Sequence, residues 1–286
     1  MSTSSIGLAD LADDAGRYHT KSRRPALLAR LFPSPAFYVR FVSVVFWASG
    51  LARRGRYGDA EWHASSLAVL RALETVGVHI ELSGLDVFPR LAGPCVFVAN
   101  HMSTLETIIL PGIVQPFKDV TFVIKRGLVE YPVFKHIMIA RAPIIVDRVN
   151  PREDLTRVLR EGVAILARGR SIIIFPQTTR TVRFDPAHFN TIGVKLARDA
   201  GVPIVPIAVR SDAWGNGRWV KEFGRIDPRL PVKLAFGAPI TIEGRGAEAH
   251  HTAIEFITQK LTGWGVDVVT AASASESVAS PGSDAA

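Results

Sequence analysis

Cysteine is nearly absent, since Cys95 is the only one among 286 residues. A single thiol forms no intrachain disulfide and no multi-cysteine zinc or iron–sulfur site, and it suits a reducing compartment. The first sixteen residues lack the basic start and apolar run of a signal peptide, so export is not expected. Several catalytic signatures are missing as well: there is no G-x-S-x-G, no G-x-x-x-x-G-K-[ST], no H-E-x-x-H, and no G-x-G-x-x-G after a strand. Their absence removes the usual cues for a serine hydrolase, a phosphate-binding loop, a zinc peptidase and a dinucleotide fold. Acidic residues are the minority, 26 against 34 Lys and Arg, which gives a net charge of +8. That surplus suits an anionic membrane surface or a phosphate-bearing substrate, and without an aromatic–basic motif of known type a nucleic acid is not the expected partner.

What is present describes a folded chain. Hydrophobic residues make up 48% and mean hydropathy is +0.20, which excludes wholesale disorder. The positive charge is concentrated in residues 1–60, where nine basic side chains face four acidic ones. Inside this region lies the apolar stretch Pro35 to Ala52, whose longest uncharged piece, Phe41 to Ala52, is twelve residues. That piece is shorter than the ~18 residues a bilayer crossing needs. As a helix, the stretch places Arg40, Ser43, Trp47, Gly50 and Arg54 on one narrow stripe and leaves a wide apolar face. Two readings stay open from these residues: a helix lying in the headgroup boundary with basic flanks on anionic lipid, or a buried core helix.

A second helix is expected from Asp59 to about Val76, after which short strands alternate with helices. The apolar runs Val78–Leu82, Cys95–Ala99, Val120–Ile124, Ile144–Val146, Ser171–Phe175, Ile204–Val209 and Val232–Phe236 read as strands. Between them, Pro151–Arg168 is the clearest helix, with Asn150 as cap, Pro151 at its first position and Glu153 completing a capping box. This alternation predicts an α/β fold, a central mixed and largely parallel sheet flanked by helices and preceded by an N-terminal membrane-associated helical segment. The expected organisation is a flexible N-terminus over 1–24, a basic amphipathic helical segment over 25–76, an α/β domain over 77–268 and a small, polar, disordered tail over 269–286.

Polar residues that directly follow buried-looking strands mark where α/β proteins place their sites. In CVFVANHMSTLE, His101 leaves a strand and Glu106 falls in the first turn of the next helix. An imidazole held by a carboxylate suits a general base, but Ser103 and Glu106 also satisfy a capping box without any chemistry. In SIIIFPQTTRTVRF, Gln177, Thr178, Thr179 and Arg180 offer an amide, hydroxyls and a guanidinium for a phosphate or carboxylate, or else form a solvated basic turn. Asp147 and Arg148, with Lys125 and Arg126, add charge that belongs either to one pocket or to ordinary surface. The segment DAWGNGRWVKEF, with Trp214, Trp219 and Phe223, reads as a membrane-facing or substrate-covering loop, or as a packed surface loop. Cys95, inside a strand, reads as core.

The order of these motifs resembles the glycerolipid acyltransferase family, whose bacterial members include 1-acylglycerol-3-phosphate acyltransferases, over roughly residues 77–240. Its N-H-x-S-x-x-D motif is similar to NHMSTLE, giving Asn100, His101, Ser103 and Glu106. Its G-x-I-x-V-D-R block resembles APIIVDR, which lacks the glycine but keeps Asp147 and Arg148. Its F-P-E-G-T-R-S motif stands here as FPQTTRT, with Phe175, Pro176, Thr179 and Arg180 kept and Gln177, Thr178 and Thr181 replacing Glu, Gly and Ser. Val202–Ile207 matches the proline-rich fourth motif, and Lys125 and Pro132 match a K-x-x-L…P stretch in which Lys135 replaces a glycine.

The resemblance implies an O-acyltransferase in which His101 deprotonates an acceptor hydroxyl, Glu106 orients the imidazole, and the oxygen attacks an acyl thioester of coenzyme A or acyl carrier protein. It implies no acyl-enzyme, no metal and no cofactor. Backbone N–H groups at the start of the Ser103 helix are expected at the oxyanion. Arg180, with Thr179, Gln177, Thr178, Arg148 and Lys125, is expected to hold the headgroup of a lysolipid, 1-acylglycerol-3-phosphate or a related lysophospholipid. The altered third motif leaves room for a phosphate-free acceptor, or for a lipid-binding protein without turnover. Both substrates being amphiphiles, the resemblance favours the interfacial reading of Pro35–Ala52 and a peripheral, monotopic place on the cytoplasmic face of the cell membrane.

Overall fold

The strands expected from the apolar runs form within two residues of the expected limits, and one short strand precedes them. In the computed structural model, which describes residues 13–21, 24–177, 179–217 and 223–269, they are β1 (Tyr18–His19), β2 (Ile80–Ser83), β3 (Val96–Ala99), β4 (Val120–Lys125), β5 (Ile144–Val146), β6 (Ser171–Ile174), β7 (Ile204–Arg210) and β8 (Val232–Phe236). The helices are α1 (Leu27–Leu31), α2 (Pro33–Arg53), α3 (Asp59–Thr75), α4 (Leu105–Val114), α5 (Gly127–Glu130), α6 (Phe134–Ala140), α7 (Pro151–Leu166), α8 (Ile192–Ala200) and α9 (Ala247–Gly263). Asn150 caps α7 as expected, its side chain accepting from the N–H groups of Arg152 and Glu153.

The strands join one sheet in the order β1-β2-β8-β7-β3-β6-β4-β5. Pairing is antiparallel at β1–β2 and β7–β8 and parallel elsewhere, so β7, β3, β6, β4 and β5 run side by side in one direction. Their C-terminal ends therefore share one edge, at about 4.8 Å per strand. Helices cover both faces, which is why β3 and β6 are buried at every position instead of alternating. Phe97 and Ile173 join α2, α3 and α4 in one apolar cluster, while Val96, Val98, Ile172 and Ile174 join α7, α8 and α9 in the other.

Three expectations at the N-terminal side change. Residues 13–21 belong to the expected flexible terminus, yet Tyr18 is buried, its hydroxyl 2.6 Å from Glu74 Oε1, and Thr20 Oγ1 donates to the same oxygen at 2.7 Å. Residues 1–12 and the tail from 270 onward lie outside the described residues. The twelve-residue uncharged piece understates α2, which runs 21 residues through Arg40 and is, by length and composition, long and apolar enough to cross a membrane. One face of α2 is built into the fold: Phe37 and Phe41 are buried with ring centroids 5.0 and 5.1 Å from Trp214. Trp214 is thereby a core residue and not part of an exposed loop, while Trp219 lies outside the described residues. The opposite face stays open, with Val39 70% and Phe46 62% exposed.

α4 carries Glu106, and its position is fixed by a close approach to α3. A Cβ on Gly112 would stand 2.9 Å from the Leu67 backbone nitrogen and 3.1 Å from the Ser66 carbonyl carbon, so only glycine permits this spacing.

Candidate active site

The site grows out of the end of β3. Its ladder with β7 stops at Ala99, and Asn100 continues the pairing with its side chain: Nδ2 donates to the Val209 carbonyl at 2.8 Å and Oδ1 accepts the Val209 N–H at 2.7 Å. The next residue, His101, is thus delivered at a fixed place on the C-terminal edge. Its ring stacks on Phe175, centroids 4.4 Å apart, at the end of β6.

Glu106 lies beneath it with no exposed surface. Oε1 accepts from His101 Nδ1 at 2.8 Å, from the Met102 N–H at 2.6 Å and from the Ser103 N–H at 2.9 Å. Oε2 accepts from Ser103 Oγ at 3.0 Å and Ser211 Oγ at 2.6 Å. Burial pushes the carboxyl upward, but the hydrogen bond and charge of His101, followed by the Ser211 hydroxyl, outweigh it and hold the group below its ordinary value. An ionised carboxylate only accepts, so the proton on the imidazole sits on Nδ1 and the lone pair on Nε2.

The capping geometry and the histidine–carboxylate contact of NHMSTLE therefore coexist. Ser103 Oγ accepts the Leu105 N–H at 3.1 Å while Glu106 accepts the Ser103 N–H, and the same carboxylate holds His101. This double use corrects one expectation. The N–H groups of Met102, Ser103 and Leu105 are engaged inside the turn and do not point to an oxyanion.

The remaining expected residues divide. Gln177 is buried, and its Oε1 accepts the His101 backbone N–H at 2.7 Å, so it supports the loop instead of facing an acceptor. The Thr181 N–H donates to the His101 carbonyl at 3.0 Å, tying the β6 loop to the β3 loop from both sides. Arg180 Nη1 donates to Thr104 Oγ1, which brings its guanidinium beside the turn that holds Glu106. Thr179 is exposed, and Thr178 lies outside the described residues. Lys125 ends β4 and Arg148 follows β5, both exposed, on the same edge one and two strands beyond β6. Arg148 has φ 59°, and Asp154 Oδ2 accepts its N–H at 2.7 Å while Oδ1 takes that of Asp147 at 3.0 Å. Asp147 itself pairs with Arg126 and, at 3.5 Å, with Arg157. Among the described residues no three His, Cys, Asp or Glu side chains gather as a metal site. Cys95 is buried, and burial pushes its thiol up to about 12, which leaves it protonated and unreactive.

Ser211 escaped sequence reading. It is fully buried one residue past β7, and the one signal for it was its place directly after an apolar strand, the criterion that found His101.

Comparison with known proteins shows the family. A family model described as Acyltransferase matches residues 79–210. The chain is 30% identical over 242 residues to a 1-acyl-sn-glycerol-3-phosphate acyltransferase of Pseudomonas aeruginosa, covering 84% of this chain and 88% of that one. It is 22% identical over 274 residues to the enzyme of that name from Cocos nucifera, covering 88% and 84%. The fold matches the crystal structure of the 1-acyl-sn-glycerophosphate acyltransferase from Thermotoga maritima with a TM-score of 0.62 at 18% identity, over 85% of this chain and 99% of that one. The chain belongs to the glycerolipid acyltransferase family, a family of O-acyltransferases.

Proposed function

We propose that this enzyme transfers a fatty acyl group from an acyl thioester, of coenzyme A or acyl carrier protein, to the free hydroxyl of a lysophospholipid, 1-acylglycerol-3-phosphate foremost. The observation that carries the reading is the His101–Glu106 pair, a mostly buried imidazole, 16% exposed, whose Nδ1 is held by a buried carboxylate at the edge where Arg180, Lys125 and Arg148 also emerge. His101 Nε2 takes the hydroxyl proton as the oxygen attacks the thioester carbonyl carbon. A C–O bond forms, the C–S bond breaks, and the leaving thiolate recovers the proton from the imidazolium as free thiol. Glu106 stabilises the imidazolium in between.

The cations supply the acceptor's phosphate site, with Arg180 nearest the base and best suited to a two-point contact. Gln177 supports this acceptor. Because it is buried against the His101 backbone, replacing the family's Glu there alters loop support and removes no charge from the acceptor's path. An intact dyad speaks for turnover over a lipid-binding protein that has lost it.

His101→Ala should abolish thiol release from an acyl thioester in the presence of 1-acylglycerol-3-phosphate while leaving the circular dichroism spectrum unchanged. Undiminished turnover by that variant rejects the mechanism. Arg180→Ala should raise the acceptor KM roughly tenfold or more and leave the thioester KM nearly unchanged, as loss of one charge-assisted contact requires.

The enzyme works on amphiphiles from a membrane surface, on the cytoplasmic face. The open faces of α1 and α2 supply the contact: Leu27, Leu28, Leu31, Phe32, Val39 and Phe46 are each at least 59% exposed. For α2 to span instead, Phe37 and Phe41 would have to leave Trp214, which supports an interfacial helix with one face in the protein. The protein should sediment with anionic vesicles at low salt and release as salt rises; failure to sediment rejects the membrane reading.

A further inference from the structure

Between α2 and α3 runs a groove of about 470 Å³, within the range of ligand sites, that shares no residue with the His101 site. Its two ends differ in chemistry. The α2 and α3 helices are antiparallel there, and Arg40 Nη1 donates to Thr75 Oγ1 at 2.7 Å, so the last turns of α3 meet the first half of α2. Arg40, Arg71, Ser43 and Thr75 thus gather toward one end. Toward the other the lining is Val44, Leu67, Ala64 and Ala68, and the distance along α3 from Thr75 to Ala64 is about 16 Å. Ala64, Ala68 and Ala72 recur every four residues, forming a floor that larger side chains would fill.

No acidic side chain is among the residues that line the groove, and the nearby Glu74 accepts from the hydroxyls of Tyr18 and Thr20. The groove is also continuous with the apolar face of α2 at its polar end, because Val39, 70% exposed and next to Arg40, belongs to both. An amphiphile beside that face can place its head at the arginines and run its chain along the alanines.

We infer that this groove is a binding site for an anionic phospholipid of the supporting membrane, its phosphate on Arg40 and Arg71 and one acyl chain on the Ala64–Ala68–Leu67 floor. The lipid is a companion of the enzyme and not its substrate, since the site lies on the helical hairpin and not on the C-terminal edge of the sheet. That the lipid comes from a membrane rests on the interfacial reading above.

The test is native mass spectrometry of the full chain released from neutral detergent micelles doped with phosphatidylglycerol, where no charged surface contributes. Wild type should retain one phosphatidylglycerol and no phosphatidylcholine. Ala68→Trp, which fills the floor without changing charge, and Arg40→Gln/Arg71→Gln should each reduce occupancy at least tenfold. Arg53→Gln/Arg54→Gln, an equal loss of charge outside the groove, should retain the lipid. All variants should turn over a short-chain, water-soluble lysolipid at the wild-type rate. Retention by either groove variant, equal loss from the control, or no adduct on wild type overturns the site. Vesicle sedimentation separates the two readings: sedimentation without an adduct rejects the groove alone, and an adduct without sedimentation rejects the membrane reading alone.

Discussion

Glu106 joins the cap of a helix to the His101 imidazole, and Ser211 shows what that requires. A buried carboxylate is costly unless its oxygens are saturated, and Glu106 receives five donors, of which the Ser211 hydroxyl at 2.6 Å is the shortest to Oε2. Ser211→Ala should destabilise the fold by about 1.5–3 kcal/mol at neutral pH. The pH dependence has a definite sign. Glu106 is held below its ordinary 4.5, so its contribution to stability is complete above that value and is lost as pH falls through the lowered one. Removing Ser211 raises the lowered value, so the urea midpoints of variant and wild type should differ at pH 7 and converge as pH falls below the lowered value. A difference that stays constant over the acid range would mean a packing loss only. The kcat should fall with both KM values nearly unchanged, because the imidazole is less firmly oriented while neither substrate contact is touched. At this scale the sequence made the meeting of His101, Glu106 and Arg180 at one edge legible, since each follows a strand in a motif with spacing. Ser211 and the inward turn of Gln177 were not, because a polar residue after a strand is equally suited to facing substrate or supporting a loop until its partners are known.

Elements place these residues, and the contact of α3 with α4 does so most directly. α4 is only ten residues long and lies against α3 through Gly112. In Gly112→Ala the new Cβ meets backbone on both Ser66 and Leu67, which cannot swing aside as a side chain would. The helices must separate, at a cost of about 1–3 kcal/mol, and Glu106 moves with α4 away from His101. The expected result is a lowered urea midpoint with a loss of kcat larger than a Gly→Ala change at an open position such as Gly263 produces. Wild-type kcat in a destabilised Gly112→Ala would show that the dyad is set by the β3 loop alone. Strands and the α7 cap were legible within two residues because apolar runs and capping chemistry are local. The Gly112 contact was not, because it is made with a helix some forty-five residues away. The extent of α2 was legible to within two residues, but its capacity to span a bilayer was understated, because an uncharged run stops at Arg40 whereas the apolar helix continues through it.

At the scale of the whole molecule, strand order is what brings β3, β6, β4 and β5 to one edge, and nothing in periodicity reveals it. What sequence offered instead was motif order, which carried the family's arrangement without its geometry. The same holds for the N-terminal helices, whose apolar character was plain but whose partner was not. α2 and α3 share one apolar cluster with Phe97, Ile173 and Val205 of the sheet, so they are a wall of the core as well as the proposed membrane face. Deleting residues 1–57 should therefore do more than release the enzyme from vesicles. Trp214 loses Phe37 and Phe41, and α3 and α6 lose the helix packed on them, exposing apolar surface of the kind that drives association. The truncated chain should be insoluble without detergent, and in detergent it should show a lowered Tm. A soluble, fully active 58–286 fragment that fails only to bind vesicles would mean the α2 contacts are dispensable and the helix is purely an anchor. The contrast with charge is instructive here. Replacing Arg53, Arg54 and Arg56 by Gln should weaken vesicle binding in a salt-dependent way while leaving Tm unchanged, because all three are exposed and hold nothing in the core.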